Sequence, residues 1–248
     1  MKIEISVIIP FYDNLKLLKR AVNSVLNQSF KKFEIIIIYD NPQNRENLYS
    51  LKDFIYKKNK IKIIVNKNNL GAGYSRNKGI KIAKGKFIAF LDSDDFWKKN
   101  KLLIQYNFMK KNSLEATHTS YNLVNLNNNF IQHRKALDLN YSRLINSCDI
   151  GLSTVMIKHK LLFNKFLFPN LRTKEDYVLW LKIAKKGVIF YAINKSLTMW
   201  TKRSNSLSSS AYQKLKDAFS VYYVYEKLSF IKTFIRVAIL SINYIKKK

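Results

Sequence analysis

The four residues Asp92-Ser93-Asp94-Asp95 carry more chemistry than any other stretch of this sequence. They follow an apolar run, Phe87 to Leu91, without a break. In extended backbone, residues two apart point the same way, so Asp92 and Asp94 project together past the end of that run. Paired carboxylates can hold Mg²⁺ or Mn²⁺ while a phosphate completes the coordination shell. A turn capping the helix expected from Lys98 would also use aspartate. Capping accounts for one aspartate better than for three, because carboxylates packed together repel without a cation.

A second acidic pair, Glu175-Asp176, opens a helical stretch behind Thr173-Lys174. The helix dipole stabilises carboxylates there, and Thr173 could cap the helix. The same placement suits a general base, provided that a hydroxyl comes within hydrogen-bond reach. Asp176 is the first candidate and Glu175 the second. Gly71-Ala72-Gly73 opens another helix, whose N-terminus could receive a phosphate, although glycines form turns for many reasons. No Walker-type Gly-Lys-Ser/Thr motif occurs, which argues against nucleotide hydrolysis. His118, His133 and His159 are scattered without ligand spacing and read as ordinary polar or core residues.

The elements that must position these residues alternate regularly over the first hundred. Apolar runs at Ile5–Pro10, Phe33–Tyr39, Ile61–Val65 and Phe87–Leu91 read as strands. Between them lie stripes at helical spacing: Leu18 to Leu26, Leu48 to Ile55, and a helix from near Gly71. This is the pattern of βαβ units. Continuous runs imply strands covered on both faces, hence a mostly parallel sheet flanked by helices. Ligands of such sheets sit beyond the carboxyl ends of the strands. Here those ends are Pro10–Asp13, Tyr39–Asn41, Asn66–Gly73 and Asp92–Asp95. Beyond them, the sequence predicts helices at Lys98–Lys111 and Thr173–Lys186. It predicts strands at Thr117–Asn125, Leu152–Ile157 and Val188–Ile193, with everything from Ala211 helical.

Several of these segments, in this order, resemble the family 2 glycosyltransferases. They are Ser6-Val7-Ile8-Ile9-Pro10-Phe11-Tyr12, Ser24-Val25-Leu26-Asn27-Gln28-Ser29-Phe30, Phe33-Glu34-Ile35-Ile36-Ile37, Asn69-Leu70-Gly71 with Arg76-Asn77-Lys78-Gly79-Ile80, and Phe90-Leu91-Asp92-Ser93-Asp94-Asp95. The resemblance is close from Ile5 to about Trp97 and weaker to about Ser208. It implies a GT-A nucleotide-binding α/β fold. Residues 1–100 would form the nucleotide-sugar half, 101–208 the acceptor half and 209–248 a helical basic tail.

The resemblance also implies an inverting sugar transfer from a nucleotide-diphosphate sugar, a uridine one by analogy, to a glycan or lipid-linked acceptor of cell-surface polysaccharide. Asp40 matches the position that recognises the base, with Pro10, Tyr12 and Asp13 beside it. Gly71 and Arg76 match positions near the diphosphate. Asp92, Asp94 and Asp95 match the metal and ribose site for Mn²⁺ or Mg²⁺, and Asp176 matches the base. Two departures stand out. Tyr39 replaces the first of the family's two aspartates after the second strand. Arg203 stands before Ser206-Leu207-Ser208, where many relatives carry histidine. An arginine cannot ligate a metal but can pair with a diphosphate through two parallel hydrogen bonds. A sugar nucleotidyltransferase would instead open with a glycine-rich loop, which is missing here.

Charge and the tail bear on location. The net charge is +29. It would suit nucleic acid, an anionic membrane, or a genome biased toward Lys, Asn and Ile codons. A basic binding module does not need ordered aspartates at strand ends, so no nucleic-acid partner is expected. From Phe230 to Ile245 apolar residues recur at helical spacing, ending in Lys246-Lys247-Lys248. That stretch is too short and too charged to span a bilayer. It fits a helix lying on an anionic membrane surface, or one packed on the domain. The lone cysteine, Cys148, permits no intrachain disulfide, and Met1 to Pro10 is too short for a signal-peptide core. The expected location is therefore the cytoplasm, peripheral to the inner face of the membrane.

Overall fold

The computed structural model describes residues 2–163, 166–203 and 211–246. The first half runs β1 (Ile5–Phe11), α1 (Leu15–Leu26), β2 (Phe33–Tyr39), α2 (Arg45–Ile55), β3 (Ile61–Val65), α3 (Ala72–Ile82) and β4 (Phe87–Phe90). Then come β5 (Phe96–Trp97), α4 (Lys101–Lys111), β6 (Ala116–Val124), β7 (Phe130–Arg134), α5 (Tyr141–Leu144), β8 (Met156–Lys158) and α6 (His159–Leu162). The chain closes with α7 (Glu175–Ala184), β9 (Phe190–Thr201), α8 (Ala211–Ser220) and α9 (Phe230–Ile245).

All of the strands join one sheet in the order β3-β2-β1-β4-β8-β6-β9-β5, with β7 on β6. The pairs β3-β2, β2-β1 and β1-β4 are parallel, as the continuous apolar runs require. Beyond β4 the sheet turns mixed. Strand β8 is antiparallel to both neighbours, β6 and β9 are parallel, and β5 and β7 are antiparallel edges. The expectation of a mostly parallel sheet therefore holds for the first hundred residues and not for the rest.

Successive side chains of β1 enter opposite cores. Val7 and Ile9 pack with the α1 stripe of Leu18, Ala21, Val22 and Val25. Ile8 packs with Phe90, Trp180 and Phe190 on the other face. Each fully buried residue of this kind contributes roughly 1.5–3 kcal/mol. Helix α3 lies close on β1 at Gly79, where a Cβ would come within 2.6 Å of the Ile8 side chain.

Three local readings change. Leu152–Thr154 forms a 3-10 turn, not the start of a strand, and only Met156–Lys158 pairs. Thr154 closes that turn by bonding back to the Gly151 carbonyl through both its amide and its hydroxyl. The last strand extends to Thr201. The tail is not one helix. A π-helical turn, Val221–Tyr225, follows α8, and Lys227 takes a left-handed φ of 56° before α9 begins.

Candidate active site

Strand ends and helix starts meet in one cleft. The loop after β4 carries Asp92, Asp94 and Asp95, α3 carries Arg76, α7 opens with Glu175-Asp176, and β9 runs out toward Arg203. Arg76 sits at the centre, 4% exposed. Its two terminal nitrogens donate to Asp92 Oδ1 and Glu175 Oε1, each at 2.7 Å. Its guanidinium also faces the Phe168 ring at 5.3 Å. The two carboxylates hold the buried guanidinium firmly charged. Gly73 makes room for this meeting of α3 and α7, since a Cβ there would lie 3.1 Å from the Pro169 carbonyl oxygen and 3.4 Å from Glu175.

The three aspartates differ in their surroundings. Asp95 is fully buried, and both of its oxygens are engaged. Oδ2 accepts from the Ser153 hydroxyl at 2.6 Å and Oδ1 from the Thr201 amide at 2.9 Å. Burial, then the charges of Asp94 and Asp92, push its carboxyl well above the ordinary range. Asp94 is pushed up by burial and by Asp92, and Arg203 opposes this from 3.5 Å. Asp92 remains part-exposed beside Arg76, and its amide donates to Ser153 Oγ. Among the described residues, no group of three or more His, Cys, Asp or Glu is arranged to hold a metal ion. Of the three aspartates, Asp92 and Asp94 are part-exposed and Asp95 is buried.

One residue that the sequence reading passed over holds this loop. Arg20 of α1 donates to the Asp94 carbonyl at 2.6 Å, to Thr201 Oγ1 at 2.7 Å and to Asn128 Oδ1 at 2.5 Å. It stacks on Phe96 at 4.5 Å. The signal available was an arginine on the polar side of an otherwise apolar stripe, which is too common to notice.

The acidic pair on α7 divides into two roles. Glu175 is bound to Arg76, whereas Asp176 has no ion pair among the described residues and accepts only from the Tyr177 amide at 2.7 Å. Burial, followed by the charge of Glu175, lifts the Asp176 carboxyl to about 7. A carboxyl near neutrality can take a proton at working pH. Thr173 does not cap this helix. The left-handed Lys174 occupies the cap position, and Thr173 bonds through its amide and hydroxyl to Asp217 of α8, at 2.9 and 2.7 Å.

On the nucleotide side, Asp40 is buried and fully bonded. It accepts from Asn66 Nδ2 at 2.6 Å and from the amides of Leu70 and Gly71 at 2.9 and 2.7 Å, so it shapes the loop that starts α3. Gly71 needs its glycine there, because its φ is 84°. Tyr39, standing where the family has aspartate, is buried against Phe11 and donates to the Asn44 carbonyl. Tyr12 and Asp13 lie exposed at the rim, with Asp13 accepting from Asn47, and Pro10 is buried within β1. The histidines serve structure: His118 bonds Leu137, His133 meets Asn122 and Ser196, and His159 meets two carbonyls. Residues Ser206-Leu207-Ser208, and with them the boundary drawn at 208, lie outside the described residues.

A half-parallel sheet with aspartates after β4, a buried arginine on α3 and a near-neutral carboxyl on α7 fits a GT-A sugar-transferring enzyme. The glycosyl transferase family 2 profile matches residues 6–171, and the chain belongs to that family. It is 33% identical to TuaG of Bacillus subtilis (strain 168), named for teichuronic acid biosynthesis, over 98% of this chain and 97% of that one. It is 34% identical to WfgD of Escherichia coli over 88% and 84% of the two chains. WfgD is described as a UDP-Glc:alpha-D-GlcNAc-diphosphoundecaprenol beta-1,3-glucosyltransferase. The fold is shared with S. aureus TarS 1-349 in complex with UDP-GlcNAc, at a TM-score of 0.74 and 22% identity, covering 95% of this chain and 71% of that one.

Proposed function

We propose that this glycosyltransferase moves a sugar from a UDP-sugar to a hydroxyl of a lipid-linked glycan, with inversion, during assembly of a cell-surface polysaccharide. One observation carries the reading: a carboxyl lifted to about 7, with no ion pair among the described residues, lies one residue from Glu175, which pins the Arg76 guanidinium together with Asp92. The lipid-linked acceptor of WfgD and the UDP-GlcNAc bound by TarS support the choice of donor and acceptor.

The cleft suits a divalent cation. Asp94 is pushed up by burial and by the neighbouring Asp92, and a single arginine at 3.5 Å opposes this. Such a pair is more stable with a cation between it and a diphosphate. Asp92 and Asp94 would hold Mn²⁺ or Mg²⁺, while Asp95 keeps the loop in place. The bound ion would act as a Lewis acid that offsets the charge of the leaving diphosphate. Arg203, across from Asp94, would pair with the same phosphates.

The protein's own residues supply the remainder. Asp40 holds the Leu70 and Gly71 amides in the turn that leads the nucleotide to α3. Asp176 takes the proton of the acceptor hydroxyl, and the oxygen attacks the anomeric carbon opposite the departing diphosphate. One displacement inverts the configuration and needs no enzyme nucleophile. Arg76 holds Glu175 in an ion pair at 2.7 Å, so that Asp176 is the group left to accept a proton.

Among the described residues, no helix is long and apolar enough to cross a membrane. The outward apolar face of α9 and its lysines support a place on the inner surface of the membrane, beside a lipid-linked acceptor. A screen of nucleotide-sugars for binding and slow hydrolysis, with and without Mn²⁺, tests the reading. UDP-sugars should bind with the ion present, and failure of every nucleotide-sugar would end the proposal.

A further inference from the structure

Helix α9 packs on the protein through Val237, Leu240 and a few polar residues and leaves most of its large apolar side chains outward. A helix packed on a protein surface normally turns its apolar stripe inward and its polar side to water. Here Thr233 and Leu240 are buried, and Arg236 and Asn243 reach into the protein. Phe230, Ile231, Phe234, Ile235, Ile242 and Ile245 are each more than half exposed. At 3.6 residues per turn they cover an arc of roughly 140° with no charged residue inside it. Tyr223 of the π-helical turn, about half exposed, extends the patch, with its ring 6.5 Å from that of Phe230. An exposed apolar face this continuous marks an interaction surface.

Charge selects the partner. Within residues 211–246 the carboxylates are Asp217 and Glu226, and both are buried. Lys227, Lys232 and Lys246 are exposed around the patch. Nothing acidic in this segment faces outward to repel an anionic bilayer, and each lysine near such a surface adds about 1 kcal/mol of attraction.

The inner side of α9 holds a segment that runs to the aspartate loop. The Arg236 guanidinium donates to Asn146 Oδ1, and Asn243 Nδ2 donates to the Asn146 carbonyl at 2.9 Å. The carbonyls just before it are held by tyrosines, Leu144 by Tyr177 and Ile145 by Tyr222, at 2.7 and 2.9 Å. Tyr177, which holds the Leu144 carbonyl, is the residue after Asp176 in α7, and from Asn146 the chain passes Cys148. It ends at Ser153, which holds Asp95 and the Asp92 amide. One short segment therefore connects the apolar helix to the base and to the aspartates.

We infer that α9 docks on an anionic bilayer through its apolar face and that docking orders residues 145–153, the wall along which a lipid-borne hydroxyl approaches Asp176. This deepens the reading of a lipid-linked acceptor and rests on it. Arg236, Asn243 and Asn146 act as positioning residues.

Hydrogen exchange on the full chain tests the inference, with vesicles of equal parts phosphatidylglycerol and phosphatidylcholine compared with phosphatidylcholine alone. Anionic vesicles should slow exchange about tenfold or more in both 230–245 and 145–153. Replacing Arg236 and Asn243 by alanine should keep the slowing in 230–245 and remove it from 145–153. Asn146→Ala, which leaves α9 untouched, should do the same in part. Phe234→Asp with Ile235→Asp should abolish both. The inference is overturned if slowing stays confined to 230–245 in the unaltered protein or if anionic vesicles do not bind. It is also overturned if the patch is covered by a second copy of the chain in solution. Mn²⁺-dependent UDP release, measured on the same samples, separates the two levels. If release persists without vesicle coupling, only this inference fails. If release is absent, the reading beneath it fails.

Discussion

Replacing Asp176 by asparagine should cripple transfer and stabilise the protein at the same time. The carboxyl is lifted from the ordinary aspartate range to about 7, chiefly by burial and then by Glu175. A folded-state value above the unfolded one means that the folded protein binds the proton more tightly. Ionisation in the folded protein is therefore a cost, absent below the unfolded value near 4, growing between about 4 and 7 and constant above. Three units correspond to at most about 4 kcal/mol, and water at the cleft mouth should reduce the observed cost to about 1–2 kcal/mol. Asp176→Asn should thus raise the melting temperature of the metal-free protein more at pH 8 than at pH 5. The kinetic arm has the opposite sign. With the base at about 7, about nine-tenths is ionised at pH 8 and about one-tenth at pH 6, so kcat/KM should fall nearly tenfold between them. The asparagine variant should lose about 10²- to 10⁴-fold and show no such limb, with donor binding near normal. The reasoning is refuted if the variant is no more stable at pH 8 and transfers sugar with an unchanged pH profile. If Glu175→Ala is dead while Asp176→Ala is active, the base lies one residue earlier.

Arg76→Met should be among the most damaging changes, since removing one partner of a buried ion pair costs about 3–5 kcal/mol; chemical denaturation with and without Glu175→Gln would read it, with the double variant partly recovering. Arg20→Ala should keep the fold but loosen the aspartate loop, raising the Mn²⁺ concentration needed for donor binding about tenfold through loss of charged hydrogen bonds to Asp94 and Thr201. Gly79→Ala should lose about 1–3 kcal/mol, because its Cβ would press on Ile8 at 2.6 Å. A melting temperature equal to that of the unaltered protein would show that α3 can move away.

The parallel half of the fold was legible because each of its strands is a continuous apolar run and each helix a stripe. The meeting of Arg76 with Asp92 and Glu175, next to Asp176, was foreshadowed because motif order survives where each motif alone is ambiguous. What escaped the sequence depends on partners distant along the chain. Asp217, 44 residues from Thr173, takes the hydroxyl expected to cap α7. Ser153, 58 residues from Asp95, donates to one of the carboxylate oxygens that the motif offers. Arg20 bonds Thr201 across 181 residues. Helix α9 carries apolar residues on both sides, so spacing alone could not tell which side faces the protein.

The most direct test of the account is a titration of Mn²⁺ against UDP-sugar binding in four proteins: unaltered, Asp92→Asn, Asp94→Asn and Asp95→Asn. The account predicts that binding requires the ion and that both Asp92→Asn and Asp94→Asn lose it. Asp95→Asn should keep ion-dependent binding, since asparagine can still accept from the Thr201 amide and bond Ser153. Binding that ignores Mn²⁺, or that survives in Asp94→Asn and vanishes only in Asp95→Asn, would contradict it.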